Sequence, residues 1–208
     1  MIVIGITGGV GAGKSEVLKY MKESCCCRIV LADDVGNIVK KKGQPCYEKL
    51  LSLLGTEVLG EEGEIDKGKM AQMIFKDRVL LQAVNDVIHP AVREYILSAI
   101  QEERERGRID FIFLEAALLI ETGYRTILDE LWYIYASENV RRKLLRDNRG
   151  YNEERIEGII ERQLSEQEFR DACDRVIDNS GTIDEMKNQV DRILGDLLWK
   201  MKKRCMDN

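Results

Sequence analysis

The sequence predicts an α/β fold, a five-stranded parallel sheet covered by helices on both faces, and three observations carry that expectation. Five short apolar runs recur along the chain, at Ile2–Thr7, Arg28–Leu31, Phe111–Leu114, Leu131–Ala136 and Asp174–Asp178. They are continuous rather than alternating, the pattern of strands buried on both faces. Segments of helical periodicity separate them. The first run also ends in a glycine-rich turn that leads straight into a helix-compatible stretch, Ser15 to Met21.

Composition sets the outer bounds. The 208 residues, 44% hydrophobic, fit one domain over 1–208 with enough length for a proper core. No apolar run approaches the roughly 18 residues of a membrane helix; Phe111 to Ile120 is the longest, and Glu115 interrupts it. No membrane partner is therefore expected, and because the chain enters a strand without a basic region or a cleavage site, no signal peptide is expected. Cys25, Cys26 and Cys27 are consecutive, while Cys46, Cys173 and Cys205 are scattered. With no CxxC pair and His89 as the one histidine, a zinc site is not expected, and reduced thiols fit a cytoplasmic location. A net charge of −5 argues against a nucleic-acid partner.

The elements follow in order. After the first strand comes Gly8-Gly9-Val10-Gly11-Ala12-Gly13-Lys14-Ser15, the full spacing of a phosphate-binding P-loop between a strand and a helix. Glycines let successive backbone N–H groups turn inward as an anion nest, and the helix beginning near Lys14 adds its own unpaired N–H groups. Lys14 is expected to reach the β- and γ-phosphates and the Ser15 hydroxyl to ligate Mg²⁺. The expectation is therefore a P-loop NTPase-type three-layer fold that binds ATP. A second strand ends in Ala32-Asp33-Asp34, and from about Asn37 to Arg108 the pattern is helical. Within it Leu50–Leu54 closes on Gly55, Asp66 and Asp77 are candidate caps, and Pro90 reads as the first position of a further helix. Leu80, Leu81, Val84, Val87 and Ile88 are expected to point inward. His89 is expected to serve as a cap or a core hydrogen-bonding group rather than in catalysis. The last helix, Ile183 to Lys203, repeats Met186, Val190, Ile193, Leu194, Leu197 and Met201 at core spacing.

Two segments exceed what the sheet needs. One is the helical lobe 38–108; the other is 137–172, with Arg141, Arg142, Arg146, Arg149, Arg155, Arg162 and Arg170. Kinases of small molecules need both, a lobe to hold the acceptor in line and a lid with cations for a charge-spreading transition state. Arg142 and Arg146 stand four apart, hence on one helical face, and are candidates to approach phosphate when the lid closes. Other arginines of the segment belong to solvated faces. A nucleotide-dependent switch protein would have little reason to carry the 38–108 lobe. A nucleoside monophosphate-type kinase would share the loop and lid but use another acceptor lobe.

At this point the residues resemble one family, dephospho-coenzyme A kinase. Gly5-Ile6-Thr7 with the P-loop resembles the family's start, and Ala32-Asp33 matches the second half of its Asp-Ala-Asp motif. Gly63 to Lys67 with Met70, Ile74 and Phe75, Ile88-His89-Pro90 with Val92, and Leu118-Leu119-Ile120-Glu121 with Gly123-Tyr124 are similar to internal segments. Gln163, Arg170, Asp174 and Val176 to Gly181 are similar to its lid and closing motif. The departures are Leu31 for the first Asp, Glu16 for the Thr after the P-loop Ser, Ala117 for a Pro, Glu115 where an Asp is common, and a longer lid around 148–152. They leave open a member with altered function that keeps ATP binding.

The resemblance implies transfer of the ATP γ-phosphoryl to the ribose 3′-hydroxyl of dephospho-coenzyme A, with Mg²⁺, as the last step of coenzyme A formation. Asp33, at the carboxyl end of the second strand, would orient or deprotonate the acceptor hydroxyl; the alternative is a helix N-cap. Glu115 would hold Mg²⁺ directly or through water, or else pair with a nearby Lys or Arg. Gly8 to Glu16 would line the triphosphate, with Arg170 by its place in the lid motif and Asn179 near the adenine. Oligomeric state stays open.

Overall fold

The computed structural model describes residues 1–116, 119, 120 and 123–206, with side chains to residue 203. Ala117, Leu118 and Glu121, invoked above, lie outside the described residues, as do the side chains of Arg204 and Cys205. In chain order the elements are β1 (Ile2–Thr7), α1 (Lys14–Ser24), β2 (Cys27–Leu31), α2 (Ala32–Ile38), α3 (Pro45–Leu54), α4 (Lys67–Lys76) and α5 (Arg78–Arg106). There follow β3 (Phe111–Glu115), β4 (Glu130–Tyr135), α6 (Glu138–Arg149), α7 (Glu153–Ile160), α8 (Glu166–Ala172), β5 (Arg175–Asp178) and α9 (Ile183–Met206). The contacts divide the chain into two compact units, Met1–Ile29 with Gly107–Asn208, and Val30–Arg106.

The sheet has the order β2-β3-β1-β4-β5, and β1 pairs in parallel with β3 and β4, as β4 does with β5. Five parallel strands surrounded by helices are the architecture expected from the continuous apolar runs. Val3, Ile4, Ile6, Phe111 to Leu114, Trp132 and Ile134 are buried, which requires cover on both faces. Gly5 belongs to that packing, since a Cβ there would lie 2.5 Å from a Leu128 methyl and 2.8 Å from one of Leu131. Because β1 is flanked on both sides, the loop that follows it opens at the carboxyl edge where strand order reverses, the ligand crevice of open α/β sheets.

In the second unit α5 is the spine, against which α2, α3 and α4 pack. Val84, Val92, Ile96, Ala99 and Ile100 supply its buried stripe. Two helix starts behave as their residues dictate: Asp66 Oδ1 accepts from Lys69 N at 2.8 Å, and Asp77 Oδ1 accepts from Val79 N and Leu80 N.

Four expectations need correction here. Pro90 does not begin a helix but lies inside the 29 residues of α5. Its φ suits a helix, and the carbonyl it leaves unpaired, at Asp86, belongs to an exposed residue that water can satisfy. His89, beside it, is exposed, so it is neither a cap nor a core group, and Leu81 is 37% exposed rather than inward. Asp33 and Asp34 do not leave β2 as extended chain, because α2 begins at Ala32 and places both in its first turn. Carboxylates suit that position, where free N–H groups and the helix dipole favour negative charge. The cap position itself is Leu31, without a side-chain bond.

Candidate active site

The loop from Gly8 to Gly13 joins β1 to α1 as its spacing predicts. Gly8, at φ 150°, runs so close to β4 that a Cβ would sit 2.4 Å from the Ile134 carbonyl oxygen, so only glycine passes. Gly13, at φ 80°, holds the N-cap of α1 in the left-handed region, and Glu16 N and Val17 N donate back to its carbonyl. Asn179 Nδ2, just past β5, donates to Ala12 O at 2.9 Å, and Asn179 N is held by Tyr135 O at 2.7 Å. Asn179 thus buttresses the loop from beneath. Ser15 and Glu16, on the first turn of α1, are exposed.

Lys14 folds back over the loop. Its Nζ donates to Gly8 O at 2.9 Å and lies 3.7 Å from Glu115 Oε1 at the end of β3. Burial pushes the ammonium below the usual lysine range, Glu115 opposes that, and Arg141 and Arg149 add to it. Of the two roles foreseen for Glu115, the ion pair is the one seen. Its carboxylate and the Ser15 hydroxyl are nonetheless hard oxygen donors, the chemistry that suits Mg²⁺ when substrate phosphates and water complete the shell. Among the described residues no group of three or more His, Cys, Asp or Glu side chains forms a metal site on protein ligands alone.

The arginine that meets the loop is one the sequence reading did not single out. Arg141 Nε donates to Val10 O at 3.1 Å, its guanidinium lies over Gly9, and NH2 donates to Gln163 Oε1. Gln163 Oε1 also accepts from Val10 N at 3.3 Å. Residues of α6 and of the turn after α7 therefore clamp Val10 by both its N–H and its C=O. Burial lowers the Arg141 pKa, with the neighbouring Arg142 adding to that. Arg142 and Arg146 do share one face of α6, as their spacing requires, but that face meets carboxylates. Arg142 Nε bonds Glu138 at 2.7 Å and its NH1 bonds Glu153 at 3.2 Å, while Arg146 also bonds Glu153. A helical step of about 100° per residue separates the Arg141 direction from that of Arg142. The one available signal was Leu145, four after Arg141 and buried, which marks the inward stripe. Arg170, on α8, bonds Glu166 at 2.8 Å and stands 5.1 Å from the Tyr135 ring centroid.

Asp33 belongs to the second unit, exposed in the first turn of α2.

The dephospho-CoA kinase family model matches residues 2–185. A dephospho-CoA kinase of Carboxydothermus hydrogenoformans is 33% identical over 198 residues, 95% of each chain. Among solved structures, one from Thermus thermophilus superposes with a TM-score of 0.77 at 27% identity, covering 94% of this chain and 97% of that one. The dephospho-CoA kinase of Campylobacter jejuni gives a TM-score of 0.71 at 17% identity, with 94% and 96% covered, and so shares the fold. This chain belongs to the dephospho-CoA kinase family, an ATP-dependent kinase family on a P-loop α/β fold.

Proposed function

We propose that the protein transfers the γ-phosphoryl of ATP to the ribose 3′-hydroxyl of dephospho-coenzyme A, giving coenzyme A and ADP in the cytoplasm. The observation that carries this reading is the complete phosphate loop with Lys14 inside it, in a chain whose family membership spans residues 2–185. The loop's N–H groups and Lys14 bind the triphosphate and offset charge developing on the transferred group. Ser15 and Glu115 would hold Mg²⁺, which when bound supplies further charge neutralisation across the β- and γ-phosphates. Asp33 orients the acceptor hydroxyl and takes its proton as the new P–O bond forms and the bond to the β-phosphate oxygen breaks.

The segment 137–172 acts as the lid, and 38–108 as the acceptor lobe. Arg141 is favoured as the lid cation on phosphate, because it already stands on the loop while Arg142 and Arg146 are neutralised by Glu138 and Glu153. Arg170 and Asn179 flank the nucleotide, Asn179 by fixing the loop's Ala12 carbonyl. The decisive experiment measures ADP formed with dephospho-coenzyme A, with nucleoside monophosphates and with water alone. Turnover confined to dephospho-coenzyme A is expected. Faster turnover with a nucleoside monophosphate would instead make this a nucleotide kinase, and equal turnover in water a hydrolase.

A further inference from the structure

The second unit contains a cavity of about 370 Å³ lined by Asn37, Lys40, Lys41, Glu64, Ile65 and Lys67. We propose that this cavity binds the diphosphate of the acceptor nucleotide and that α2 sets its distance from Asp33. The proposal rests on the reading of Asp33 as the acceptor-orienting acid.

Three observations lead there. The first is charge. The lining presents three ammonium groups against one carboxylate, and Glu64 Oε2 is already engaged by Lys42 N at 3.0 Å. Among the described residues Lys40, Lys41 and Lys67 have no carboxylate within ion-pair distance. Lys40 is half-buried and carries a desolvation cost, while Lys41 and Lys67 are exposed; a bound polyanion offsets the cost at Lys40 and the mutual repulsion of the group.

The second is register. Asp33, Asn37 and Lys40 are spaced by four and three residues, one above another on a single helical face. Right-handed helical backbone continues through Val39, at φ −66° and ψ −16°, so the register reaches the edge of Lys40. Val35 and Val39, on the other side, are buried, and α2 packs on α5, so the polar face cannot turn inward. Asn37 and Lys40 line the cavity, and Asp33 lies about 10 Å upstream along the axis, at about 1.5 Å per residue. A ribose hydroxyl at Asp33 with its diphosphate a turn or two further on matches that spacing.

The third is mutual influence. Burial pushes the Lys40 ammonium below the usual range, the nearby Lys67 charge adds to this, and Asp33 works against it. Lys40, Lys67 and Asp33 thus share one electrostatic neighbourhood. An anion between the two lysines would offset the Lys67 charge and oppose the effect of burial. The volume, near the lower end for small-molecule sites, fits a diphosphate with part of its chain.

The test uses the full-length protein with Lys40→Gln, Lys67→Gln and the double variant, with Lys40→Arg as the charge-conserving control. Each lost ammonium is expected to raise the acceptor KM about tenfold, the worth of one charge-assisted hydrogen bond, while the ATP KM stays within about twofold. Lys40→Arg should restore most of the loss, and Glu64→Gln, which removes the lining's carboxylate, should lower the acceptor KM. A double variant with an unchanged acceptor KM overturns the proposal, as does one whose ATP KM rises equally. Should dephospho-coenzyme A prove not to be the acceptor, the cavity is tested separately with inorganic pyrophosphate on Lys14→Ala protein. Calorimetric binding that disappears on adding Lys40→Gln and Lys67→Gln upholds the anion site while the acceptor assignment fails. Equal binding by both proteins removes the site as well.

Discussion

The phosphate loop and the lysine cavity are both anion sites on this reading, yet they are built in opposite ways. The loop uses backbone N–H groups along eight contiguous residues, and two of its polar groups are already partnered: Val10 N by Gln163, and Lys14 Nζ by Gly8 O and Glu115. The cavity uses side-chain ammonium groups from the turn after α2 and the start of α4, and among the described residues these lack carboxylate partners within ion-pair distance. A backbone site can be satisfied internally because each peptide carries both a donor and an acceptor. A site made of lysines holds donors alone, so its electrostatic cost lasts until a ligand arrives.

The sharpest way to press this comparison is through Asp33, the group that on this reading links the cavity to chemistry. Asp33→Asn keeps shape but removes the charge and the proton-accepting ability, so kcat should fall by roughly 10²–10⁴ with ATP affinity little changed. Asp34→Asn should cost far less, although both carboxylates are exposed in the first turn of α2. Steady-state kinetics of the two variants decide, and the reverse ranking would transfer the role to Asp34.

On the loop side, Lys14→Ala should lower phosphoryl transfer by roughly 10²–10³ while circular dichroism and the melting curve stay near normal. Near-normal turnover at saturating ATP would break the assignment of the loop. A smaller loss separates neighbouring arginines. Arg141→Met should reduce kcat/KM for ATP by about 10–100-fold, the worth of a hydrogen bond to a charged group, and Arg142→Met by less. In the same experiment, hydrogen exchange with a non-hydrolysable ATP analogue should show 137–172 gaining protection. Unchanged exchange there would place the lid in another segment.

The smallest effect concerns stability away from both sites. Glu130 receives Arg175 Nε at 2.7 Å and Trp132 Nε1 at 2.7 Å, joining β4 to β5. Partial burial pushes its carboxyl up, but the Arg175 and Trp132 bonds outweigh that and hold it below the ordinary value. A lowered folded-state pKa means the stabilisation is present above the unfolded value, near 4.5, and fades as pH falls through the folded one. Glu130→Gln should therefore cost about 1 kcal/mol in urea denaturation at pH 7, and the gap should narrow below pH 4.5.

Legibility in the sequence follows the same division. The strands and the loop could be read directly because each is one contiguous run whose pattern has a single physical meaning. The caps at Asp66 and Asp77 were likewise local, and both hold. Pro90 misled because proline marks a helix start only when the preceding turn is absent, and here the stripe from Val84 to Val92 holds both sides in one helix. The sequence favours Arg142 and Arg146 over Arg141 because a four-residue spacing says that two side chains share a face, not what that face meets. The lysine cavity needed α2 and the start of α4 brought together, which no run of residues announces.

The clamp on Val10 has a calorimetric consequence. ATP reaches a loop whose amide and ammonium already have partners, so it enters as a replacement rather than as a first occupant. Each contact made to Val10 N or Lys14 Nζ displaces one to Gln163 or Gly8. At these two groups the heat of binding is then a difference between two similar sets of bonds, smaller than their number suggests. What the triphosphate adds over a neutral glutamine is its negative charge. Affinity at the loop will accordingly fall as ionic strength rises.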